Sequence, residues 1–381
     1  MTMPSRRNAR GWRALLGALL AAALPSTFAA PAAAEALPPL FPIRQGDLHG
    51  LIDAQGRQVL APEFSELKLG QPLVMLRKGH RTAYADGSGR LVIEPQEELT
   101  QAFAEGLVPM RGKDATGKPK WGYADAQRKF AIAPAFDDAQ GFVDGLAVVG
   151  LADAWGTLKY GVIDRGGKLV VPAVHDKLLA PGGGLVRAES RERTHRVFDA
   201  QGRDVTPAGI DFVGIASDGM VRVWSGRSQG FMTTAGELVV PPRFQQASDF
   251  KEGFARVWVD GKYGYIDKRG TLVVPARYDT AEDFSDGLGL VKEDGQARFV
   301  DGRGRVVLSP QADRVWPFSQ GLAAVKVGNQ HGFIDKRGLV VIAPQFSFVR
   351  AFHNGLAFVG QGRMTGYIRP DGQFVWRSSG G

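Results

Sequence analysis

Apolar and polar residues alternate along most of the chain in short runs that are separated by glycine-containing turns. In one representative stretch, Phe254–Val259 and Tyr263–Asp267 form two such runs, and the turn between them carries Gly261. A period of two on both sides of a glycine turn predicts a β-hairpin. The β-branched run Leu272–Val274 predicts a third strand, and Pro275 ends it because proline lacks a backbone donor. The stretch therefore predicts a three-stranded antiparallel meander.

The segment after the third strand predicts a short helical connector. Tyr278, Ala281 and Phe284 lie three residues apart, a spacing typical of one helical turn that packs an apolar edge against a sheet. Gly287 then begins the next unit. Because three strands cannot bury a face by themselves, each unit needs neighbouring units.

The same unit recurs ten times between residues 40 and 377. A marker residue, usually glycine, precedes an aromatic-Ile-Asp signature or its variants, and the last five intervals between markers are all 34 residues. The markers are Gly50, Ala83, Gly122, Gly161, Arg196, Gly230, Gly264, Arg298, Gly332 and Gly366. Two intervals of 39 residues arise from longer first hairpin loops, at residues 111–120 and 151–159. Such insertions indicate loops that face solvent.

An aspartate follows the marker by three residues in eight of the ten units. These residues are Asp53, Asp86, Asp125, Asp164, Asp199, Asp267, Asp301 and Asp335. Each begins a tight turn in which its carboxylate can accept hydrogen bonds from local backbone N–H groups. We therefore assign a structural turn role to these aspartates and to Gly122, Gly161, Gly264 and Gly332. Calcium binding is the alternative, but the sequence lacks the acidic loop that such a site requires.

Together these patterns predict an all-β fold. The expected architecture is a tandem array of about ten three-stranded antiparallel meanders, stacked into an elongated, solenoid-like superhelix. A closed, β-propeller-like ring is the alternative. The array is favoured because propellers usually have about four to eight blades, and because no unit is divided between the two termini.

The first 34 residues have the layout of a secretory signal peptide. Four arginines precede an apolar run from Ala14 to Leu24, and Ala32-Ala33-Ala34 offers a cleavage site. The run is shorter than the roughly 20 residues of a transmembrane helix, although an uncleaved anchor is the rival interpretation. We expect a cleaved signal peptide at 1–34, one repeat domain at 35–377, a flexible tail at 378–381, and no transmembrane span in the mature chain. The expected location is periplasmic or secreted.

Charge and composition narrow the classes of function. Removal of the signal peptide lowers the net charge from +8 to +4, so nucleic-acid binding is not expected. Cysteine is absent, which excludes disulfides, thiol catalysis and thiolate metal sites. The six histidines show no metal-binding spacing, and Gly182–Gly184 lacks the Lys-Ser/Thr of a phosphate loop. We therefore expect no cofactor, no metal site and no catalytic residue.

Three segments resemble the WG (or KWG) repeats of bacterial proteins. They are KWGYADAQRKFAIAP at Lys120–Pro134, YGYIDKRGTLVVP at Tyr263–Pro275 and HGFIDKRGLVVIAP at His331–Pro344. The Trp-Gly pair itself occurs in phase at Trp121-Gly122, and other residues replace the tryptophan elsewhere. The resemblance implies repeated β-rich modules in secreted or envelope proteins that bind or scaffold, and it implies no catalytic residue.

Tryptophans and basic turns are the candidate ligand-facing features. Trp155, Trp121, Trp224 and Trp258 can stack on a ligand, although core packing is favoured for Trp224 and Trp258. Trp155, in an inserted loop, is the preferred candidate. Basic residues near the second turn of eight units could bind an anionic polymer. Acidic residues at the start of the next unit's first strand are expected to neutralise them.

The sequence thus favours a non-enzymatic exported protein that acts as a binding or scaffolding module for a protein or glycan partner in the cell envelope. The alternative is a hydrolase or lyase that acts on polysaccharide through acids outside the repeat phase, such as Asp153 or Glu189.

Overall fold

The structure is a computed structural model that describes residues 37–97, 99, 101–189 and 195–378. The predicted signal peptide, and residues 379–381 of the predicted tail, lie outside these residues. The described residues form β-strands and turns, and no helix among them is long and apolar enough to cross a membrane.

The strands form ten antiparallel sheets, numbered here in chain order, in which strands adjacent in sequence pair with one another. Sheet 1 contains β1 (Leu40–Gln45), β2 (Leu48–Asp53) and β3 (Gln58–Phe64). Sheet 2 contains β4 (Glu66–Leu69), β5 (Val74–Lys78), β6 (Arg81–Ala85) and β7 (Leu91–Gln96). Sheet 3 contains β8 (Val108–Lys113), β9 (Pro119–Ala124) and β10 (Phe130–Phe136).

The middle of the chain continues the same plan. Sheet 4 contains β11 (Asp138–Ala139), β12 (Leu146–Ala152), β13 (Leu158–Asp164) and β14 (Leu169–His175). Sheet 5 contains β15 (Lys177–Gly182), β16 (Leu185–Glu189) and β17 (His195–Phe198). Sheet 6 contains β18 (Phe212–Ser217), β19 (Met220–Ser225), β20 (Ser228–Thr233) and β21 (Leu238–Phe244).

The last four sheets are the most regular. Sheet 7 contains β22 (Gln246–Ala247), β23 (Phe254–Val259), β24 (Lys262–Asp267) and β25 (Leu272–Tyr278). Sheet 8 contains β26 (Thr280–Ala281), β27 (Gly289–Glu293), β28 (Gln296–Val300) and β29 (Val306–Leu308). Sheet 9 contains β30 (Arg314–Ser319), β31 (Leu322–Val327), β32 (Gln330–Asp335) and β33 (Val340–Phe346). Sheet 10 contains β34 (Phe348–Val349), β35 (Ala357–Gln361), β36 (Met364–Ile368) and β37 (Phe374–Arg377).

The all-β fold and its ten meanders are confirmed, but the helical connector is wrong. Within the described residues, seven sheets have a fourth strand, and the connector supplies it. In sheet 8 the two connector residues Thr280 and Ala281 pair with β27. The flanking N–H groups of Asp279 and Glu282 donate to backbone carbonyls of the same sheet. These cross-strand bonds occupy backbone N–H groups that a helical turn would need for its own hydrogen bonds.

Consecutive sheets pack face to face through clusters of buried apolar side chains. Ten clusters join the sheets in cyclic order, and the tenth joins sheet 10 to sheet 1. The protein is therefore a closed ring of ten sheets, a ten-bladed β-propeller. The elongated array was the wrong choice and the ring, given as its alternative, is correct. Periodicity requires that both faces of each sheet be buried, but it does not specify the rotation between sheets that closes the ring.

The contact between sheets 10 and 1, called here the seam, closes the ring through side chains. The rings of Phe41 and Tyr367 lie 5.4 Å apart edge to face, and the Tyr367 hydroxyl donates to the Pro42 carbonyl at 2.8 Å. Val375 and Trp376 pack against the same cluster. Sheet 1 consists of β1–β3 and sheet 10 of β34–β37, so no strand is shared across the seam.

In the seven sheets that have a marker glycine, this glycine allows the last strand to approach the strand beside it. A Cβ atom at Gly264 would lie 2.6 Å from the Val274 carbonyl oxygen, at an irregularity in the pairing of β24 with β25. Gly122, Gly161 and Gly332 meet equivalent carbonyls at 2.5, 2.8 and 2.4 Å. In sheet 8, where Arg298 replaces the glycine, β29 has three residues.

The turn aspartates bind the backbone of their own turns. The Asp267 carboxylate accepts hydrogen bonds from the N–H groups of Arg269 and Thr271 at 3.0 and 2.9 Å. Burial raises the pKa of Asp267, but these two N–H groups and the Arg269 guanidinium outweigh it and hold the pKa below its ordinary value of 3.8. The same pair of backbone bonds occurs at Asp53, Asp125, Asp164, Asp301 and Asp335.

A second set of carboxylates joins neighbouring sheets. Asp218 accepts a hydrogen bond from the Gly253 N–H of the next sheet at 2.6 Å, and Glu252 accepts one from Gly287 at 2.7 Å. These acidic residues thus hold the turn that follows them around the ring, and Gln320 takes the same role toward Gly355 in sheet 9. Asp144 makes the equivalent bond to Gly183.

Ring closure can be tested by spin-label distances, since the natural chain has no cysteine. Leu48, Gln330 and Met364 begin the second hairpin strand of sheets 1, 9 and 10, at the same repeat position. Nitroxides at Leu48→Cys and Met364→Cys are expected to give about the same distance as nitroxides at Gln330→Cys and Met364→Cys. Double electron–electron resonance measures both pairs. A much longer distance for the Leu48–Met364 pair would contradict the closed ring.

The turn aspartates predict acid sensitivity. A carboxylate whose pKa is depressed by folding stabilises the fold above its ordinary pKa, and this contribution is lost as the pH falls through the folded value. The pKa values of the Asp53, Asp267, Asp301 and Asp335 carboxyls all lie below the ordinary value of 3.8. We expect the urea midpoint to fall below pH 4, and Asp267→Ala to cost about 1–2 kcal/mol at pH 7. Asp267→Asn is the control, because it should reduce the pH dependence while keeping an acceptor oxygen.

Candidate functional site

Two clefts open between neighbouring sheets at the same repeat position. Cleft 6/7, between sheets 6 and 7, has a volume of about 400 Å³, and cleft 9/10, between sheets 9 and 10, about 490 Å³. Both lie between the end of one sheet's last strand and the hairpin and last turn of the next sheet. Arg243 and Gly270 of cleft 6/7 correspond, three 34-residue repeats later, to Gln345 and Gly372 of cleft 9/10.

Cleft 6/7 has mainly apolar walls. Trp258, Val259 and Leu272 line it, and the Trp258 ring packs edge to face on Tyr263 at 4.6 Å. The Arg243 guanidinium crosses from sheet 6 and donates to the Gly270 carbonyl at 2.7 Å. This arginine therefore fastens the two sheets together at the cleft.

Cleft 9/10 has polar walls of a different chemistry. Gln345, Gln361 and Gln373 line it, and the Gln361 amide nitrogen lies 3.4 Å from the Gln345 amide oxygen. The Arg377 guanidinium stacks over the Phe374 ring, 4.1 Å from its centroid. The residues that line this cleft include one cation and no carboxylate. The site can therefore donate and accept several hydrogen bonds beside an aromatic ring.

The last repeat of the sequence carries a signal for cleft 9/10. The other nine units carry a proline at or after the third meander strand. The expectation that this proline ends the strand is wrong, because Pro275 and Pro344 lie inside β25 and β33, where an irregularity in the pairing leaves their missing N–H groups without consequence. Arg377 stands at the corresponding place in the last unit. A departure from an otherwise repeated structural residue is a stronger pointer to a binding site than an isolated tryptophan.

Of the four predicted tryptophans, Trp258 lines a cleft and Trp155 lies apart from both clefts. Trp155 is 89% exposed at the tip of the β12–β13 loop, and no ring or guanidinium among the described residues stacks on it. Trp121 is half-buried under Arg111, whose guanidinium lies 5.1 Å from the ring. Trp224 is half-buried and packs edge to face on Phe212 at 5.1 Å.

The acids considered for catalysis are bound to their surroundings. Asp153 accepts hydrogen bonds from the N–H groups of Trp155 and Thr157 at 2.9 and 2.8 Å, like the turn aspartates. The Lys177 ammonium, 2.6 Å from Glu189, lowers the pKa of that carboxyl below its usual range. In the described part of the chain, no group of three or more acids and histidines could hold a metal ion.

The basic residues near the second turns are paired with carboxylates. Lys268 lies 3.1 Å from Asp218, and Arg165 lies 3.0 Å from Glu105. In both pairs the acid belongs to the preceding sheet, rather than to the next unit as expected. Other second-turn arginines pair with their own turn aspartate, at Asp53, Asp86, Asp199, Asp267, Asp301 and Asp335. Charge on this side of the ring is thus largely balanced.

Comparison with known families finds the WG containing repeat. Its family model matches residues 121–155, 230–263, 263–296, 298–330 and 332–363. These segments coincide with sheets 3–4 and 6–10. The first contains the Trp121-Gly122 pair, and the others have the most regular marker spacing. No curated protein matches the chain at a significant level.

The solved structures that match the chain do so remotely. One is Hsv2 of Kluyveromyces lactis, with 10% identity and a TM-score of 0.31 over 61% of this chain and 92% of that one. Two others are described as extracellular domains of one- or two-component systems of B. thetaiotaomicron, with 10% identity and TM-scores of 0.25 and 0.29. These two matches cover 90% and 88% of this chain, but 57% and 64% of those chains, which is less than two thirds of their length.

The contrasting environments of two tryptophans give a stability prediction. Trp155→Ala is expected to change the free energy of unfolding by less than about 0.5 kcal/mol, because the side chain contacts solvent. Trp258→Ala is expected to cost about 1–3 kcal/mol, because it removes the contact with Tyr263. Urea unfolding followed by circular dichroism measures both. Equal effects of the two substitutions would contradict these placements.

Proposed function

Because this chain is a WG-repeat protein, we propose that it is an exported, non-enzymatic binding module for a protein or glycan partner in the cell envelope. The observation that carries the proposal is the pair of clefts. They occupy one repeat position, yet the residues that line them depart from the repeat pattern and from each other. Positions that hold the fold are repeated from sheet to sheet, so residues that vary at a cleft are free to serve recognition.

The proposal assigns recognition, and no reaction, to the chain. It is supported by the engagement of Asp153 in a turn and of Glu189 in an ion pair. A general acid needs a pKa near the working pH, and the lowered pKa of Glu189 is unsuited to that role. Export rests on the arginine-rich and apolar layout of residues 1–34.

The ring also suits a module that presents sites to large partners. Each cleft opens between two sheets that are fixed to each other by buried clusters, at sheets 6 and 7 and at sheets 9 and 10. A preformed cleft loses little conformational entropy when a ligand binds. A partner that is extended could contact both clefts at once, which would raise its apparent affinity.

The test is retention of a partner by the mature chain, residues 35–381, immobilised and exposed to envelope extract at low salt, with a glycan array in parallel. We expect at least one protein or glycan to be retained, and retention to fall in a Trp258→Ala, Gln361→Ala double variant. Trp155→Ala is the matched control and should retain the partner. If neither extract nor array yields a retained partner, the binding function is wrong.

A further inference from the structure

Cleft 9/10 differs from cleft 6/7 in a way that points to its ligand. We propose that cleft 9/10 binds an oligosaccharide that bears a carboxylate, such as a chain of uronic acids. This inference rests on the proposed binding function and specifies the ligand class at one site. Three features of the cleft support this ligand: the glutamine amides, the stacked Arg377, and the covered edge of β37.

The three glutamines provide hydrogen-bonding groups of both kinds. Each amide offers two donors and one acceptor oxygen, which matches the hydroxyl groups of a sugar because a hydroxyl both donates and accepts. Gln345 and Gln361 approach each other across two sheets, with 3.4 Å between amide nitrogen and oxygen. Gln345 and Gln373 are exposed and Gln361 is half-buried, so these amides remain accessible to a ligand.

Arg377 provides the site for a carboxylate. Its guanidinium stacks over Phe374, and no carboxylate among the described residues lies within ion-pair distance of it. A guanidinium stacked on a ring still presents its N–H groups in the plane, where they match the two oxygens of a carboxylate. Most described cations near the second turns, by contrast, already have an acidic partner. Arg377 is thus a cation available to a ligand beside three amides.

The edge of β37 argues against an extended peptide as the ligand. β37 is the last strand of sheet 10, and peptides often bind by adding a strand to such an edge. At Gly56, in the second turn of sheet 1, a Cβ atom would lie 2.0 Å from the Val375 carbonyl oxygen. The turn of sheet 1 therefore covers this carbonyl. Strand addition is obstructed there, whereas side-chain recognition of a sugar is not.

Cleft volume is consistent with an oligosaccharide segment. About 490 Å³ lies within the range of roughly 300–1,000 Å³ that is usual for small-molecule sites. The half-buried Trp376 lines the same cleft, and aromatic rings pack well against the C–H faces of sugar rings. Cleft 6/7, with Trp258, Val259 and Leu272, lacks the amide set and serves as an internal comparison.

Isothermal titration calorimetry of the mature chain tests the inference with three probes: oligogalacturonate, a neutral cello-oligosaccharide of equal length, and a glutamate-rich peptide. We expect binding of oligogalacturonate, weaker or undetectable binding of the other two, and a roughly tenfold loss in Arg377→Gln. Gln361→Ala should weaken binding several-fold. Arg303→Gln is the control, because it removes one exposed turn cation of the same charge elsewhere on the ring.

Several outcomes would overturn the inference. Equal weakening by Arg303→Gln and Arg377→Gln would indicate attraction by general charge, and tighter binding of the peptide would indicate a protein ligand. Absence of oligogalacturonate binding, with a protein still retained from envelope extract, would refute the inference and leave the binding function standing. Melting temperatures verify that the variants fold. If Arg377→Gln does not fold, Gln373→Ala, at an exposed position, takes its place in the test.

Discussion

The structure depends on a contact in which an aromatic ring of one sheet packs on a ring of the sheet that follows, as in sheets 2, 3 and 6–9. The first ring comes directly after the marker residue, and the second lies in the next connector. These pairs include Tyr84 with Phe103, Tyr123 with Phe142, Phe231 with Phe250, Tyr265 with Phe284, Phe299 with Phe318 and Phe333 with Phe352, at 4.6–5.2 Å between centroids. Each pair contributes about 0.5–1.5 kcal/mol to stability, in addition to the free energy gained by burying its apolar surface.

The residue after that aromatic faces the opposite way, because successive side chains of a strand alternate. In β24, Tyr265 packs toward sheet 8 while Ile266 packs toward sheet 6. The short signature therefore binds one sheet to both neighbours at once. The marker glycine before the signature lets the last strand of the sheet come close. The aspartate at the end of the signature closes the turn that leads into that last strand.

Most of what the sequence predicts correctly is local chemistry, although the connector is not helical and Pro275 does not end its strand. Strand alternation, the Asp267 turn and the connector aromatic Phe284 are properties of a few adjacent residues, and all are visible in one repeat. Closure of the ring is not local, because it depends on small rotations that add up over ten sheets. Four connector strands have only two residues, as Thr280–Ala281 does, and so have no period to detect. A single unit cannot predict the clefts because two sheets line each of them, as Gln345 of sheet 9 and Arg377 of sheet 10 line cleft 9/10.

The seam differs from every other contact in one respect: no chain segment passes through it. A chain that failed to join sheet 1 to sheet 10 would expose two surfaces, one around Phe41 and one around Tyr367, each shaped for the other. Such complementary surfaces on one molecule bind head to tail, and copies joined in this way extend without limit unless they close. Closure within a single chain thus protects the protein against polymerisation, because the intramolecular partner occupies the surface before another copy can.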